Sequence, residues 1–422
     1  RLSHLAACSF ALAAAPSVAE GLSAKEKAIV AQVEAHKEAA VDLLRRAVDV
    51  PSATENHEGV KRVGEIFAAE LRALGFEARW VDVPPEVHRA GHLVAERAGK
   101  TGKRLLLIGH LDTVLQGEGF RREGGRAYGS GASDMKGGDV VMIEALRALE
   151  REGALRDRRI AVVMTGDEEE TGKPHSLSRA ALFDLAKRSD VALAFEGYAP
   201  GAAVVGRRGF GSFRLEVTGS QGHSSGIFGE SRGDGAIFAA ARILTAFHDE
   251  LREPYLTYNP SVVVGGSDAA LDASTASGTA TGKHNVVPKT VIVEGDTRFL
   301  SRGQLERARE KMKAIVSKNL PKTSATIAFL DGMPSMAPTE GNRKLLSLLD
   351  GVSRDLGTGP IAEHDPLKRG AGDISFVAET LDGLDGLGAL GENEHAPGEY
   401  VELEEQPKLA ERAALLIYRL TR

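Results

Sequence analysis

Apolar residues recur along this chain with two periods, and the periods alternate. Helical spacing runs through Ser23–Val50, with Ile29, Val33, Ala40, Leu43 and Leu44 on one stripe, and stops at Pro51, because a proline pushes the residue before it out of the helical region. The same spacing returns over Val60–Leu74 and ends at Gly75, a residue suited to the left-handed turn that closes a helix. Short β-type runs follow at Glu77–Val83, His92–Glu96 and Arg104–Gly109, then a helix from about Asp139 to Arg151, then apolar strands at Arg159–Thr165 and Val191–Phe195. Strands alternating with helices predict an α/β layer, a mixed, mostly parallel sheet with helices on both faces.

The pattern changes at Ser212. Ser212–Thr218 alternates strictly, as a strand with one covered face does. With helices at Gly233–Glu250 and Gln304–Ser317 and strands at Ser261–Val264, Thr290–Phe299 and Ser324–Leu330, the order is β-α-β-β-α-β, that of a ferredoxin-like α+β sandwich. Asn342–Leu356 and Glu404–Leu420 are helical again, on either side of a glycine-rich region. The expected organisation is a first domain over residues 20–209 that resumes over 331–422, interrupted by an inserted domain over 210–330.

Composition supports this division and narrows the function. A chain of 422 residues with 42% hydrophobic content can fill more than one core. Its net charge of −6 comes from scattered acids, which argues against a nucleic-acid or anionic-membrane surface. No later segment approaches the roughly 20 apolar residues that span a bilayer. Residues 1–19 join a basic residue, a short apolar run and small residues at Ser17 and Ala19, so an export signal and a periplasmic or secreted product are expected. The single cysteine, Cys8, lies in that segment, and its removal leaves no disulfide. Leu5–Cys8 also fits lipoprotein cleavage, though less well, because Arg1–His4 is too polar for an apolar core. Arg1 is not an initiator, so the sequence is expected to start upstream.

The chemistry gathers around Leu105–Val114, an apolar run that empties into His110 and Asp112. Ligands of open α/β sheets collect at the carboxyl ends of strands. Residues two apart in an extended segment face the same side, so the Asp112 carboxylate is expected on the ring nitrogen of His110 that a metal leaves free. Asp134, Glu168, Glu169, Glu196 and His395 also stand at strand ends or in tight glycine loops. Singly, each has an ordinary structural reading: Asp134 as a helix cap, Glu168–Glu170 as a solvated turn, Glu196 as a strand-end acid, His395 as a loop histidine. Together they fit one site, and an oxygen- and imidazole-rich donor set suits zinc, cobalt or manganese.

The ordered motifs are Gly109-His-Leu-Asp-Thr-Val114, Gly131-Ala-Ser-Asp-Met-Lys-Gly-Gly138, Thr165-Gly-Asp-Glu-Glu169, Phe195-Glu196, Gly222-His-Ser-Ser225, Asn285-Val-Val-Pro288 and Gly391-Glu-Asn-Glu-His395. With them the chain resembles the dinuclear zinc exopeptidases and amidohydrolases that include glutamate carboxypeptidase, aminoacylase and succinyl-diaminopimelate desuccinylase. The resemblance implies that Asp134 bridges two metal ions, that His110 and Glu196 complete one and Glu169 and His395 the other, and that Glu168 is the general base. Three consecutive glutamates before Thr171 leave a second register open, with Glu169 as base and Glu170 as ligand. The resemblance also implies that His223 reaches a partner subunit's site, which makes a homodimer the catalytic unit, and that Asn285 and Arg298 hold the substrate's free carboxylate. The alternative reading of Arg298 is a surface strand arginine paired with Asp296, and Asp373, in Gly370–Ile374, is substrate-side or structural.

The expected activity is therefore metal-dependent cleavage of an amide bond next to a free carboxylate, in a small peptide or an N-acyl amino acid. Glu196, where other branches carry aspartate, favours the carboxypeptidase and acylase branches. A dipeptidase or desuccinylase is the alternative within that class, and an inactive secreted metal-binding module the alternative outside it.

Overall fold

The protein's structure, a computed structural model, describes residues 21–272 and 274–422. The export segment and Cys8 lie outside the described residues. The first sheet has six strands in the order Glu77–Val81, His92–Arg97, Arg158–Thr165, Thr101–His110, Val191–Ala194, Asp382–Leu384. Its first two pairings are antiparallel and the other three parallel, giving the mixed, mostly parallel sheet that the apolar runs predict.

Thr101–His110 lies inside this sheet, and its apolar residues serve both faces. Leu105 and Leu107 join the core built with helices Gly137–Arg151 and Gln406–Thr421, while Leu106 and Ile108 join the one built with helix Ala180–Lys187. Alternation of side chains in a strand sends successive residues to opposite layers, which is why a strand covered on both sides reads as an unbroken apolar run. Each such side chain contributes roughly 1.5–3 kcal/mol by leaving water.

The inserted sheet runs Thr257–Gly266, Thr290–Phe299, Gly209–Gly219, Thr323–Asp331, all antiparallel. This is the ferredoxin-like strand order, with helices Gly235–Glu250 and Arg302–Val316 packed on one face. Phe213, Leu215 and Val217 are buried under those helices, and the residues between them face the other way. A hairpin, Asp268–Asp272 paired with Ser277–Thr281, was not legible as strands. It reaches that outer face, where Arg214 donates to the Leu271 carbonyl at 3.4 Å.

Differences from the sequence reading are local. The predicted helix over Ser23–Val50 is two helices, Ala24–Ala35 and Lys37–Val48, because His36 leaves helical geometry (φ −124°, ψ 12°). The glycine-rich region between the last long helices supplies strand Asp382–Leu384 and part of a small sheet, where Tyr400–Glu402 pairs with Gly391–Glu392 on one side and Arg126–Tyr128 on the other. Among the described residues no helix is long and apolar enough to cross a membrane.

Candidate metal centre

Three neighbouring parallel strands end at one edge of the first sheet and deliver the site. His110 is the last residue of its strand, Glu168 and Glu169 follow Thr165, and Glu196 follows Val191–Ala194. Asp134 comes from the turn before helix Gly137–Arg151. That helix approaches closely because Gly138 has no side chain: a Cβ there would sit 1.9 Å from the Phe195 carbonyl oxygen. His395 belongs to the loop between Gly391–Glu392 and Tyr400–Glu402, and pairing of Tyr400 with Tyr128 lays that loop along the Asp134 turn.

The side chains meet in two groups that share Asp134. His110 Nε2 is 3.1 Å from Asp134 Oδ1 and 3.8 Å from Glu196 Oε1. His395 Nε2 is 3.0 Å from Asp134 Oδ2 and 3.1 Å from Glu169 Oε2. Within each group the potential ligand atoms all lie within 4.8 Å of one another. Burial differs sharply: the His110 side chain is 1% exposed and that of His395 53%.

The electrostatics fit divalent cations. Burial and the Asp134 charge push the Glu196 carboxyl up to about 8. Burial and the Glu196 charge likewise hold Glu168 well above the usual carboxylate range. Burial also acts against the Asp134 carboxylate, but hydrogen bonds with both histidines outweigh it and hold this group below its ordinary value. Glu169 Oε1 is buried with no hydrogen-bond partner. Four crowded carboxylates and two imidazoles, without a thiol, form a donor set that a pair of hard or borderline cations would balance.

Asp112 requires a correction. His110 Nδ1 lies 3.0 Å from the backbone carbonyl of Asp112 and 3.6 Å from its carboxylate, so the carbonyl holds the ring. The strand stops at His110, and the two-residue alternation that would have aligned the carboxylate stops with it. The carboxylate instead accepts from Thr54 Oγ1 at 2.7 Å and from the backbone N–H groups of Glu168 and Glu169 at 3.0 and 3.1 Å. Asp112 therefore orients the acidic pair. Burial raises its own carboxyl to about 6.

Two supporting residues were missed. Glu399 accepts from the N–H groups of Gly131, Ser133 and Asp134 at 2.7, 2.8 and 2.9 Å, which fixes the turn carrying the shared carboxylate. Arg207 is buried. It bonds Asp385 through Nε at 2.5 Å and the carbonyls of Gly370 and Ala371 through Nη1, and its Nη2, 3.9 Å from Glu196, has no hydrogen-bond partner. Neither position carries a local pattern separating it from an ordinary surface charge. Only the register of the small sheet and the return of the chain after the insert bring them to the site.

The remaining candidates lie elsewhere. Glu170 is exposed and paired with Arg89 at 2.9 Å, away from both histidines. Asp373 is buried and accepts from Arg179 at 2.8 Å, so it belongs to the support beneath the site. His223 and Asn285 are neighbours in the inserted domain, where the Ser224 N–H donates to the Asn285 carbonyl at 2.9 Å, and both are exposed. Arg298 donates to Asp296 at 3.2 Å and stacks on Phe210, with 4.9 Å from the guanidinium carbon to the ring centroid. None of these three hydrogen-bonds to the metal-centre residues.

Comparison with known proteins agrees with this geometry. Residues 106–419 match the Peptidase family M20/M25/M40. The chain belongs to this family. It is 26% identical over 427 residues to carboxypeptidase G2 of Pseudomonas sp. (strain RS-16), covering 98% of this chain and 97% of that protein. It is 28% identical over 399 residues to succinyl-diaminopimelate desuccinylase of Methylobacterium radiotolerans, covering 88% and 94%. The structure of aminopeptidase PepT from Bacillus cereus has the same fold, with a TM-score of 0.70 at 18% identity over 91% of this chain and 98% of that one. As a member of the M20/M25/M40 family the chain is a metal-dependent exopeptidase or amidohydrolase with a dinuclear metal site.

Proposed function

We propose that the chain is a dinuclear zinc exopeptidase that cleaves the amide bond next to a free carboxylate, as a carboxypeptidase or N-acyl-amino-acid amidohydrolase does. The observation that carries this reading is Asp134 standing between two histidines, each with its own second carboxylate, while Glu168 beside them engages neither. Two zinc ions, when bound, would polarise the scissile carbonyl and lower the pKa of a shared water. His110, Asp134 and Glu196 would hold one, and Asp134, Glu169 and His395 the other. Glu168 takes the proton of the attacking water and returns it to the departing amine nitrogen. Its backbone N–H, anchored on Asp112, keeps it beside the cluster. The Arg89–Glu170 pair supports this register over the one with Glu170 as ligand.

His223, Asn285 and Arg298 are exposed or half-exposed on the inserted domain, as residues are that meet a substrate held by another subunit. A homodimer is further supported by an apolar patch of Phe228, Ile237 and Phe238, and by the edge strand Thr257–Gly266, where Val263 is exposed. Export through residues 1–19 remains part of the proposal.

The test is hydrolysis by purified, zinc-loaded protein of N-acyl amino acids and of dipeptides ending in glutamate, alanine or arginine, with chelator-treated protein as control. Release of the carboxyl-terminal amino acid, lost on chelation and restored by zinc, is expected. Activity that survives chelation sinks the mechanism. Light scattering at the assay concentration decides the dimer.

A further inference from the structure

We propose that Arg179, buried beneath the metal centre, is a positioning residue for Glu168: it ties the loop that carries the base to the glycine-rich turn on the other side of the site. The proposal rests on Glu168 being the base.

Arg179 and Asp167 are fully buried, and Asp373 nearly so. Asp167 immediately precedes Glu168. Arg179 donates through Nη1 to its carboxylate and through Nη2 to its carbonyl at 3.1 Å. The second carboxylate oxygen of Asp167 accepts from the Gly172 N–H at 2.9 Å, which closes the loop that presents Glu168 and Glu169. Arg179 Nε donates to Asp373 at 2.8 Å, and the other oxygen of Asp373 accepts from the hydroxyl of Thr165, the last residue of its strand. One planar guanidinium thus spans two acids from segments far apart in the chain.

The Asp373 turn has a second tie. The Gly370 and Ala371 carbonyls accept from Arg207 Nη1 at 3.1 and 3.0 Å, and Arg207 stands next to Glu196. A continuous path therefore runs from the base loop through Arg179, Asp373, the turn and Arg207 to a carboxylate on the far side of the centre. A buried arginine between two acids is weak evidence for stability, because desolvation offsets most of the attraction and apolar residues could fill the space as well. A guanidinium fork instead fixes direction, which is what a base needs when a shift of about 1 Å costs about a hundredfold in rate.

The experiment uses the full zinc-loaded chain with Asp373→Asn, Arg179→Lys and, as reference, Glu168→Gln. The readouts are kcat and KM on the fastest substrate of the panel, metal content, and hydrogen exchange over residues 166–172 and 370–376. Asp373→Asn is expected to lower kcat about 10- to 100-fold, with KM and metal content close to wild type. Exchange is expected to quicken in both segments together, with Arg179→Lys intermediate. If Arg179→Lys does not fold, Asp373→Asn alone decides. A folded Asp373→Asn protein with wild-type kcat, or one in which exchange rises in a single segment or evenly along the chain, overturns the coupling. Turnover that survives Glu168→Gln sinks the base reading and the proposal with it. That failure is distinct from the coupling failing while Glu168→Gln is inactive.

Discussion

The two halves of the metal centre share one carboxylate and differ in almost everything else. The His110 half is built at the ends of core strands, with its ring held by a backbone carbonyl and closed off from solvent. The His395 half is completed by a loop whose histidine is mostly exposed, and its other member, Glu169, sits on a loop held from below by Asp112. The same types of donor therefore make one half part of the core and the other half part of the surface. A ligand fixed by the sheet is ready before the ion arrives, whereas a loop ligand loses freedom on binding, so the halves should differ in affinity.

The largest expected effect ignores this contrast: Glu168→Gln should lower kcat roughly 10²- to 10⁴-fold while elemental analysis still finds two metals. Loss of metal instead would make Glu168 a ligand.

Asp112→Asn tests which half Asp112 serves. Residues that orient metal ligands cost roughly 10- to 100-fold in affinity or activity when altered, and the loss should fall on the His395 half, because the carboxylate holds the Glu168 and Glu169 amides. If the His110 metal is the one weakened in competition titrations, the reassignment of Asp112 fails.

Graded chelation should remove the two ions in separate steps, the His395 metal first, with an affinity difference of roughly tenfold or more. His395→Ala should then retain one metal. Release in a single step would show that exposure does not set affinity here. The smallest effect is expected on the inserted domain: Arg298→Ala should raise KM several-fold, because a charge-assisted hydrogen bond is worth roughly 1.5–3 kcal/mol and part of this one is already engaged by Asp296. An unchanged KM would return Arg298 to an ordinary surface pair.

Much of the centre was legible because its residues sit where local patterns end. His110, Glu168, Glu169 and Glu196 each follow an apolar strand, and a polar group after such a run has few places to go except the edge where ligands bind. The inserted domain was legible for a related reason: its strands alternate where those of the first sheet do not. The Asp112 contact was misread because alternation was carried one step beyond the end of the strand. Glu399 and Arg207 stayed invisible because a carboxylate that accepts three backbone N–H groups looks, in sequence, like any solvated acid.

The layers, the insert and the identities of the groups able to hold cations were written in the amino-acid order, since they follow from the spacing of apolar residues and the chemistry of side chains at strand ends. Which groups share Asp134, which half is open to water and which acid holds the Glu168 and Glu169 amides came from the folded arrangement alone. Those relations join residues as distant as Asp134 and His395, and they are set by strand register and the packing of the returning chain, about which no short window of sequence carries information.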